Sequence, residues 1–223
     1  MKISVIGTGK TGSAIAELVG EEALTFNRSN KPTPEKISQS DVAIIFVPGE
    51  AAEEIVDVML QTDVPVVWGT TGYAWPENLP DKVKLTGSKW VIGSNFSMGM
   101  NLVRKALQLL GSGSDMLDSP EFHIHETHHI HKKDAPSGTA FAWREWLNRN
   151  ASISSSRIGD VKGTHELHIK TQYESIYLRH EAHDRKLFAE GAVWAAKRLV
   201  EDESIMPGVY QFSELFNKEF ELK

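Results

Sequence analysis

At 223 residues, with 40% hydrophobic side chains, the chain has enough apolar material for one large or two modest domains and is globular rather than disordered. Its 24 basic and 30 acidic residues leave a net charge of -6, which gives no bulk attraction for nucleic acid or an anionic membrane, so an anionic ligand must be held locally. The absence of cysteine excludes disulfides and thiolate metal sites, and no apolar run approaches the length that spans a bilayer.

The chain opens on Met1-Lys2-Ile3-Ser4-Val5-Ile6, which runs into glycines rather than into the apolar region of a signal peptide, so the expected compartment is the cytoplasm. Ile3 to Ile6 reads as a buried strand, Gly7-Thr8-Gly9-Lys10-Thr11-Gly12 follows, and Ser13 to Val19 has helical periodicity. A strand, G-x-G-x-x-G and a helix in that order make a dinucleotide-binding turn. Gly7 permits the tight turn, Gly9 the approach of a pyrophosphate, and Gly12 the packing of helix on strand. The competing reading is a plain tight strand–helix turn, while a P-loop is excluded because Ser4 stands where that motif needs glycine. Leu24-Thr25-Phe26 is a short second strand whose end meets the adenosine ribose. There the chain has Asn27-Arg28 and no acid, so Arg28 is expected to accommodate a 2′-phosphate and NADPH to serve at least as well as NADH, the alternative being a solvated loop arginine.

Residues 31–40 hold two prolines and little periodicity, which abbreviates the second crossover. Asp41–Val47 is a buried strand, Glu50–Leu60 an amphipathic helix, and Val64–Trp68 a strand running into Gly69-Thr70-Thr71-Gly72. A further strand, Trp90-Val91-Ile92, ends in Gly93-Ser94-Asn95-Phe96-Ser97. Alternation of long apolar strands with helices predicts an α/β, Rossmann-like doubly wound parallel sheet, with ligand at the carboxyl ends of its strands. The candidate cofactor-binding residues are therefore Gly7, Thr8, Gly9, Lys10, Thr11, Gly12, Arg28, Gly69, Thr70, Thr71, Ser94, Asn95 and Phe96.

Leu102–Leu110 is apolar at helical spacing, and Gly111-Ser112-Gly113-Ser114 reads as a flexible break. Histidine then appears: all nine lie between His123 and His183. Phe122-His123-Ile124-His125-Glu126 alternates like a strand, placing His128 and His129 at its end. His125-Glu126-Thr127-His128-His129 also matches H-E-x-x-H, but that zinc signature works only on a helix, where both imidazoles share a face. Pro136 is placed for a helix start, with Ser137 or Thr139 as cap and Gly138 open to a ligand, before the helical run Ala140–Leu147. Free amides at that helix start, with Lys132 and two imidazoles nearby, predict an acidic substrate held beside a proton donor. Strands at His165–Ile169 and Ser175–His180 and a helix at Ala189–Leu199 complete a second, α+β domain. The expected division is 1–101 plus 188–223 for the dinucleotide-binding domain and 102–187 for the second.

Taken together, Glu126-Thr127-His128-His129 through Lys132 and Asp134-Ala135-Pro136-Ser137-Gly138-Thr139-Ala140 match the E-x-H-H-x-x-K-x-D-A-P-S-G-T-A of the dihydrodipicolinate reductase family. Gly69–Gly72, Asn95-Phe96-Ser97, Arg157 to His165, and Arg185 with Phe188 to Ala192 resemble that family's other motifs, in the same order, across essentially the whole chain. The resemblance implies reduction of an unsaturated ring dicarboxylate by NADPH or NADH, hydride going to ring C4, in lysine and diaminopimelate biosynthesis. His128 and Lys132 match the family's acid/base pair. His129, Lys132 and the amides of Ser137, Gly138 and Thr139 match its carboxylate clamp, and no metal is implied. It further implies a homotetramer built through the second domain's sheet and a hinge between domains. The glycine turn departs from the family's usual G-x-x-G-x-M-G, with Thr11 where methionine is common. A zinc hydrolase using His125 and His129 and a non-catalytic dinucleotide sensor are the competing classes.

Overall fold

The computed structural model describes residues 1–221. In chain order the elements are β1 (Ile3–Ile6), α1 (Lys10–Val19), β2 (Ala23–Phe26), α2 (Pro34–Ile37), β3 (Val42–Ile45), α3 (Ala52–Met59), β4 (Val66–Trp68), α4 (Leu79–Thr86) and β5 (Lys89–Ile92). There follow α5 (Met98–Gly113), β6 (Glu121–His128), α6 (Gly138–Leu147), β7 (Ser152–Arg157), β8 (Thr164–Lys170), β9 (Ser175–Glu181), α7 (Lys186–Glu201), β10 (Gly208–Gln211) and α8 (Phe212–Glu221). The chain parts into two compact units, one made of Met1–Met98 with the chain from Arg185 onward, the other of Gly99–Asp184.

The first unit is built on a parallel sheet of order β10-β5-β4-β3-β1-β2. Its central strands are apolar on both faces because helices cover both: every residue of β1, β3 and β4 is buried. One face packs on Ala189, Ala192, Ala195 and Ala196 of α7 and Ile15 of α1, the other on Ile55, Val56 and Met59 of α3 and Leu79 and Val83 of α4. From β1 the chain moves to β2 on one side and returns to β3 on the other, so strand order reverses between β1 and β3. At such a point the loops beyond the strand ends diverge and leave a crevice. The Rossmann-like α/β fold expected from strand and helix alternation is present. The sequence pattern did not reveal α4, which buries only Leu79 and Val83 and carries a proline in its first turn, nor β10, whose residues are only half-buried or exposed.

The second unit is a four-stranded mixed sheet of order β7-β6-β8-β9, with β6 parallel to β7 and antiparallel to β8. One face buries Ile124, Leu167 and Ile169 against Met100, Val103 and Leu107 of α5 and Ala140, Trp143 and Leu147 of α6. The other face is polar: His123, His125, Ser152, Ser154, Glu166 and Arg179 share it by strand register. Gly111 to Gly113 are not a break but the last turn of α5. Gly111 is helical there because α6 closes against it, a Cβ at that position falling 1.9 Å from Leu147 O. The Ser112 and Ser114 hydroxyls donate back to the Leu109 and Gly111 carbonyls, which satisfies a helix end the composition had suggested was loose. Strand β7 escaped the sequence reading because Ser152-Ile153-Ser154-Ser155-Ser156 has no apolar alternation. Among the described residues no helix is long and apolar enough to cross a membrane.

Candidate active site

Residues of the glycine-rich turn adopt their positions for steric reasons. Gly7 has φ +96° and a Cβ there would lie 2.2 Å from Phe46 O, while a Cβ on Gly12 would lie 1.7 Å from Gly7 O, so strand, turn and α1 close on each other only through glycine. A Cβ on Gly9 would meet nothing within 4 Å. Its freedom is thus reserved for something outside the fold, at the uncapped start of α1 where backbone amides face outward. Beside it lies a cleft of about 540 Å³ lined by Gly7, Thr8 and Gly9, by Asn27, Arg28 and Ser29 after β2, and by Phe46, Val47 and Pro48 after β3. This is the crevice at the strand-order reversal, and its size and amide-rich floor fit a dinucleotide.

Asn27 does not face the cleft as a free polar group. Its Oδ1 accepts from Ser29 N, Ser29 Oγ and Asn30 N, folding the β2 end into a tight turn that presents the exposed Arg28. Thr8 and Lys10 are exposed and Thr11 is half-buried. The remaining candidates lie after β4 and β5 along the same sheet edge, outside the cleft lining. Thr70 Oγ1 is buried, accepting from Trp68 Nε1 (2.6 Å) and donating to Val47 O (2.8 Å), so its side chain braces the loop rather than offering itself to a ligand. Gly69 admits no side chain because the Phe46 ring lies where a Cβ would be. Phe96 is a core residue, packed between Phe46 (5.6 Å) and Phe212 (4.6 Å). Thr71 and Ser94 are exposed, and Asn95 Oδ1 accepts from Ser97 N.

In the second unit, period two along β6 puts Ile124, Glu126 and His128 on the inner face. Glu126 is fully buried. It accepts from Arg157 Nη1 (3.1 Å) and Nη2 (2.9 Å), from Ser137 N (3.2 Å), and from His128 Nδ1. Burial pushes this carboxyl up, but the hydrogen bonds from Arg157 and His128 outweigh it and hold it at about 2. An ionised carboxylate only accepts, so His128 carries its proton on Nδ1 and presents Nε2 as the exchanging atom. Nε2 lies against Gly163, where a Cβ would come within 3.0 Å.

Beyond His128 the chain turns, Lys132 N donating to His129 O. Lys132 Nζ is 2.8 Å from Asp134 Oδ1, and the Lys132 hydrogen bond holds the Asp134 carboxyl below its usual range. Burial, then the charge of His131, lowers the pKa of His129. Arg157 Nη2 also donates to Asp134 O, pinning this loop to the Glu126 carboxylate. The helix expected at Pro136 starts at Gly138, with Ser137 as its cap: Ser137 Oγ accepts from Ala140 N (3.2 Å). Because Ser137 N already donates to Glu126, the amides that can turn to an anion are those of Gly138, exposed and set against the Asp134 carboxylate, and Thr139, half-buried.

The structure therefore gathers His128, His129, Lys132, Ser137, Gly138 and Thr139 on one strand end, one turn and one helix start. It adds Glu126, Arg157 and His165, which the sequence reading did not assign. Glu126 was legible in principle, since residues i and i+2 of a strand share a face and His128 needed an orienting group. His165, opposite Glu126 on β8 and 4% exposed, has Nε2 3.2 Å from Ser137 Oγ, and burial with the nearby His128 charge pulls it down to about 4. The zinc reading is overturned: His125 lies on a strand, on the face opposite Glu126, with Nδ1 bonded to Ser154 (2.7 Å) and Nε2 to Ser156 (3.2 Å).

The family model described as dihydrodipicolinate reductase, C-terminus, matches residues 98–216. A 4-hydroxy-tetrahydrodipicolinate reductase of Thermosipho africanus is 32% identical over 227 residues, 99% of this chain and 100% of that protein. The protein of the same name from Bdellovibrio bacteriovorus is 32% identical over 232 residues, 98% of this chain and 97% of its own. Among solved structures, a dipicolinate-bound dihydrodipicolinate reductase from Paenisporosarcina sp. TG-14 has the same fold, with a TM-score of 0.76 at 19% identity, covering 95% of this chain and 97% of that one.

Proposed function

The chain belongs to the dihydrodipicolinate reductase family and is an NAD(P)H-dependent oxidoreductase, and from that premise we propose how its residues divide the work. The substrate is the unsaturated ring dicarboxylate formed by loss of water from 4-hydroxy-tetrahydrodipicolinate, and the product is tetrahydrodipicolinate. A nicotinamide held in the first unit would supply the hydride that goes to ring C4. The protein supplies the proton, to the ring carbon made electron-rich by that transfer.

The observation that carries the assignment is the Glu126–His128 pair beside Lys132 and the start of α6. Glu126, kept ionised by Arg157, holds the Nδ1 proton of His128, so that Nε2 is the atom that takes up and delivers the proton. Lys132 lies in the next turn, where its ammonium, paired with Asp134 in the ligand-free chain, exchanges that carboxylate for one on the substrate. His129 and the Gly138 and Thr139 amides complete the clamp, and the Ser137 hydroxyl contributes in place of its committed amide. In the first unit, Thr8, Gly9, Lys10 and Thr11 would hold the pyrophosphate while Gly7 and Gly12 close the turn beneath it, and Arg28 would take a 2′-phosphate where there is one. Gly69, Thr71, Ser94 and Asn95 bound the nicotinamide end, while Thr70 and Phe96 shape it from within the fold. The enzyme acts in the cytoplasm as a homotetramer formed through the second unit's sheet.

A coupled assay tests this reading, with dihydrodipicolinate synthase supplying fresh substrate and cofactor oxidation followed by absorbance. His128→Gln and Lys132→Ala should each slow turnover by about 10²- to 10⁴-fold with cofactor affinity unchanged. Near-wild-type turnover in His128→Gln removes His128 from proton transfer, and in Lys132→Ala it removes Lys132 from the substrate site. Comparable NADPH and NADH efficiency ratios in wild type and Arg28→Ala remove Arg28 from phosphate recognition.

A further inference from the structure

His165 is a buried histidine that the proton-transfer scheme does not use, yet it touches the clamp. Its ring packs edge-on against His128 of β6 (5.1 Å) and tilted against Trp143 of α6 (5.6 Å), with Glu126 and His180 as its register partners on the neighbouring strands. A neutral imidazole carries one proton. His165 Nδ1 is buried and has no hydrogen-bond partner among the described residues, whereas Nε2 is 3.2 Å from Ser137 Oγ. An orphaned buried N–H is rarer and costlier than an unused lone pair, so the proton belongs on Nε2, pointing at the serine.

That placement fixes the serine. Ser137 Oγ accepts from Ala140 N as the α6 cap and from His165 Nε2, which fills both its lone pairs and obliges its own O–H to donate. Among the described residues no acceptor for that proton is recorded. We propose that His165 is a positioning residue that holds Ser137 as an obligate donor toward the substrate carboxylate at the start of α6. A serine free to rotate would spend part of its time presenting lone pairs to an anion, which repels it. His165 removes that option while remaining uncharged. The inference rests on the carboxylate-clamp reading above and gives that clamp a third donor beside the Gly138 and Thr139 amides.

Two measurements test it. Nitrogen-15 NMR of the full-length, histidine-labelled protein reads the tautomer directly: a neutral His165 protonated on Nε2 is expected, and protonation on Nδ1 overturns the proposal. Steady-state kinetics then follow the coupling. Ser137→Ala and His165→Phe should each raise the substrate KM about tenfold or more, with kcat within about twofold. The double variant should be no worse than Ser137→Ala. His165→Gln, whose amide N–H reaches the same hydroxyl, should restore most of the affinity, and it serves as the folded variant should His165→Phe not fold. Additive KM effects, or no rescue by glutamine, overturn the proposal alone. An unchanged KM in Ser137→Ala removes the serine from the clamp and the proposal with it, whatever the tautomer.

Discussion

Glu126 is the residue on which the second unit's chemistry and stability both depend. Removing its charge leaves Arg157, whose side chain is largely buried, facing a neutral oxygen, and leaves His128 without a partner that fixes its proton. Breaking one side of a buried pair costs about 3 to 5 kcal/mol, far more than an exposed pair is worth, so Glu126→Gln should lower the urea midpoint markedly as well as slow turnover. A variant with the wild-type midpoint would show that Arg157 is satisfied by its carbonyl contacts alone. Two buried residues of the second unit contribute to the pH dependence of stability in separate windows. His165 is depressed to about 4, so the unfolded chain binds a proton more readily below about 6.5. Its stabilising effect is complete above that pH and is lost as pH falls toward 4. Glu126, held at about 2, adds stability that is complete above about 4.3 and is lost as pH falls toward 2. Chemical denaturation across pH should therefore show a slope between pH about 6.5 and 4 that is reduced in His165→Gln, and wild-type slope in that variant would contradict the assignment.

Individual elements show where packing and ligand demands separate. The β1–α1 turn contains both kinds of glycine. Gly12→Ala drives a Cβ into the Gly7 carbonyl at 1.7 Å, and should destabilise the fold by about 1 to 3 kcal/mol and lose cofactor affinity with it. Gly9→Ala meets nothing within 4 Å, so thermal unfolding of the free protein should be unchanged while cofactor affinity falls. If calorimetric titration shows wild-type affinity in Gly9→Ala, the pyrophosphate does not approach at Gly9. The packing role of Gly12 was legible in the sequence, because strand, glycine spacing and helix specify a turn by local geometry. Other features were not. Thr70 and Phe96 looked like ligand residues from their loop positions, but whether a loop side chain points outward or braces the core depends on neighbours such as Val47 and Phe212, distant in sequence. The α5 end looked loose because Gly111 was read as a chain breaker, when Leu147 of α6, also distant, is what requires it. Strand β7 pairs along a serine-rich sequence only because β6 supplies a partner edge.

For the whole molecule, the polar face of the β7-β6-β8-β9 sheet bears on assembly. It is the face opposite His128, and its side chains bond among themselves: His123 Nε2 and His125 Nδ1 converge on Ser154 Oγ at 2.8 and 2.7 Å, and Arg179 pairs with Glu166. Tyr177 stacks on His168 at 4.4 Å yet stays 70% exposed, an aromatic body on the face opposite the one that α5 and α6 cover. Interfaces favour such residues, and a polar, aromatic-studded sheet face suits association between copies without the aggregation risk of a bare apolar one. With a net charge of -6 per chain, copies repel at long range, so the proposed association would have to come from short-range fit on that face. Tyr177→Asp adds a third carboxylate to the face that already carries Glu166 and Glu181 and removes the aromatic surface. Light scattering should then report a smaller particle than the tetramer proposed for the wild-type chain, with the Glu126–His128 pair and α6 undisturbed on the other face. An unchanged mass in Tyr177→Asp would move the interface elsewhere. A reduced mass with intact substrate affinity would establish that the clamp is complete within one chain.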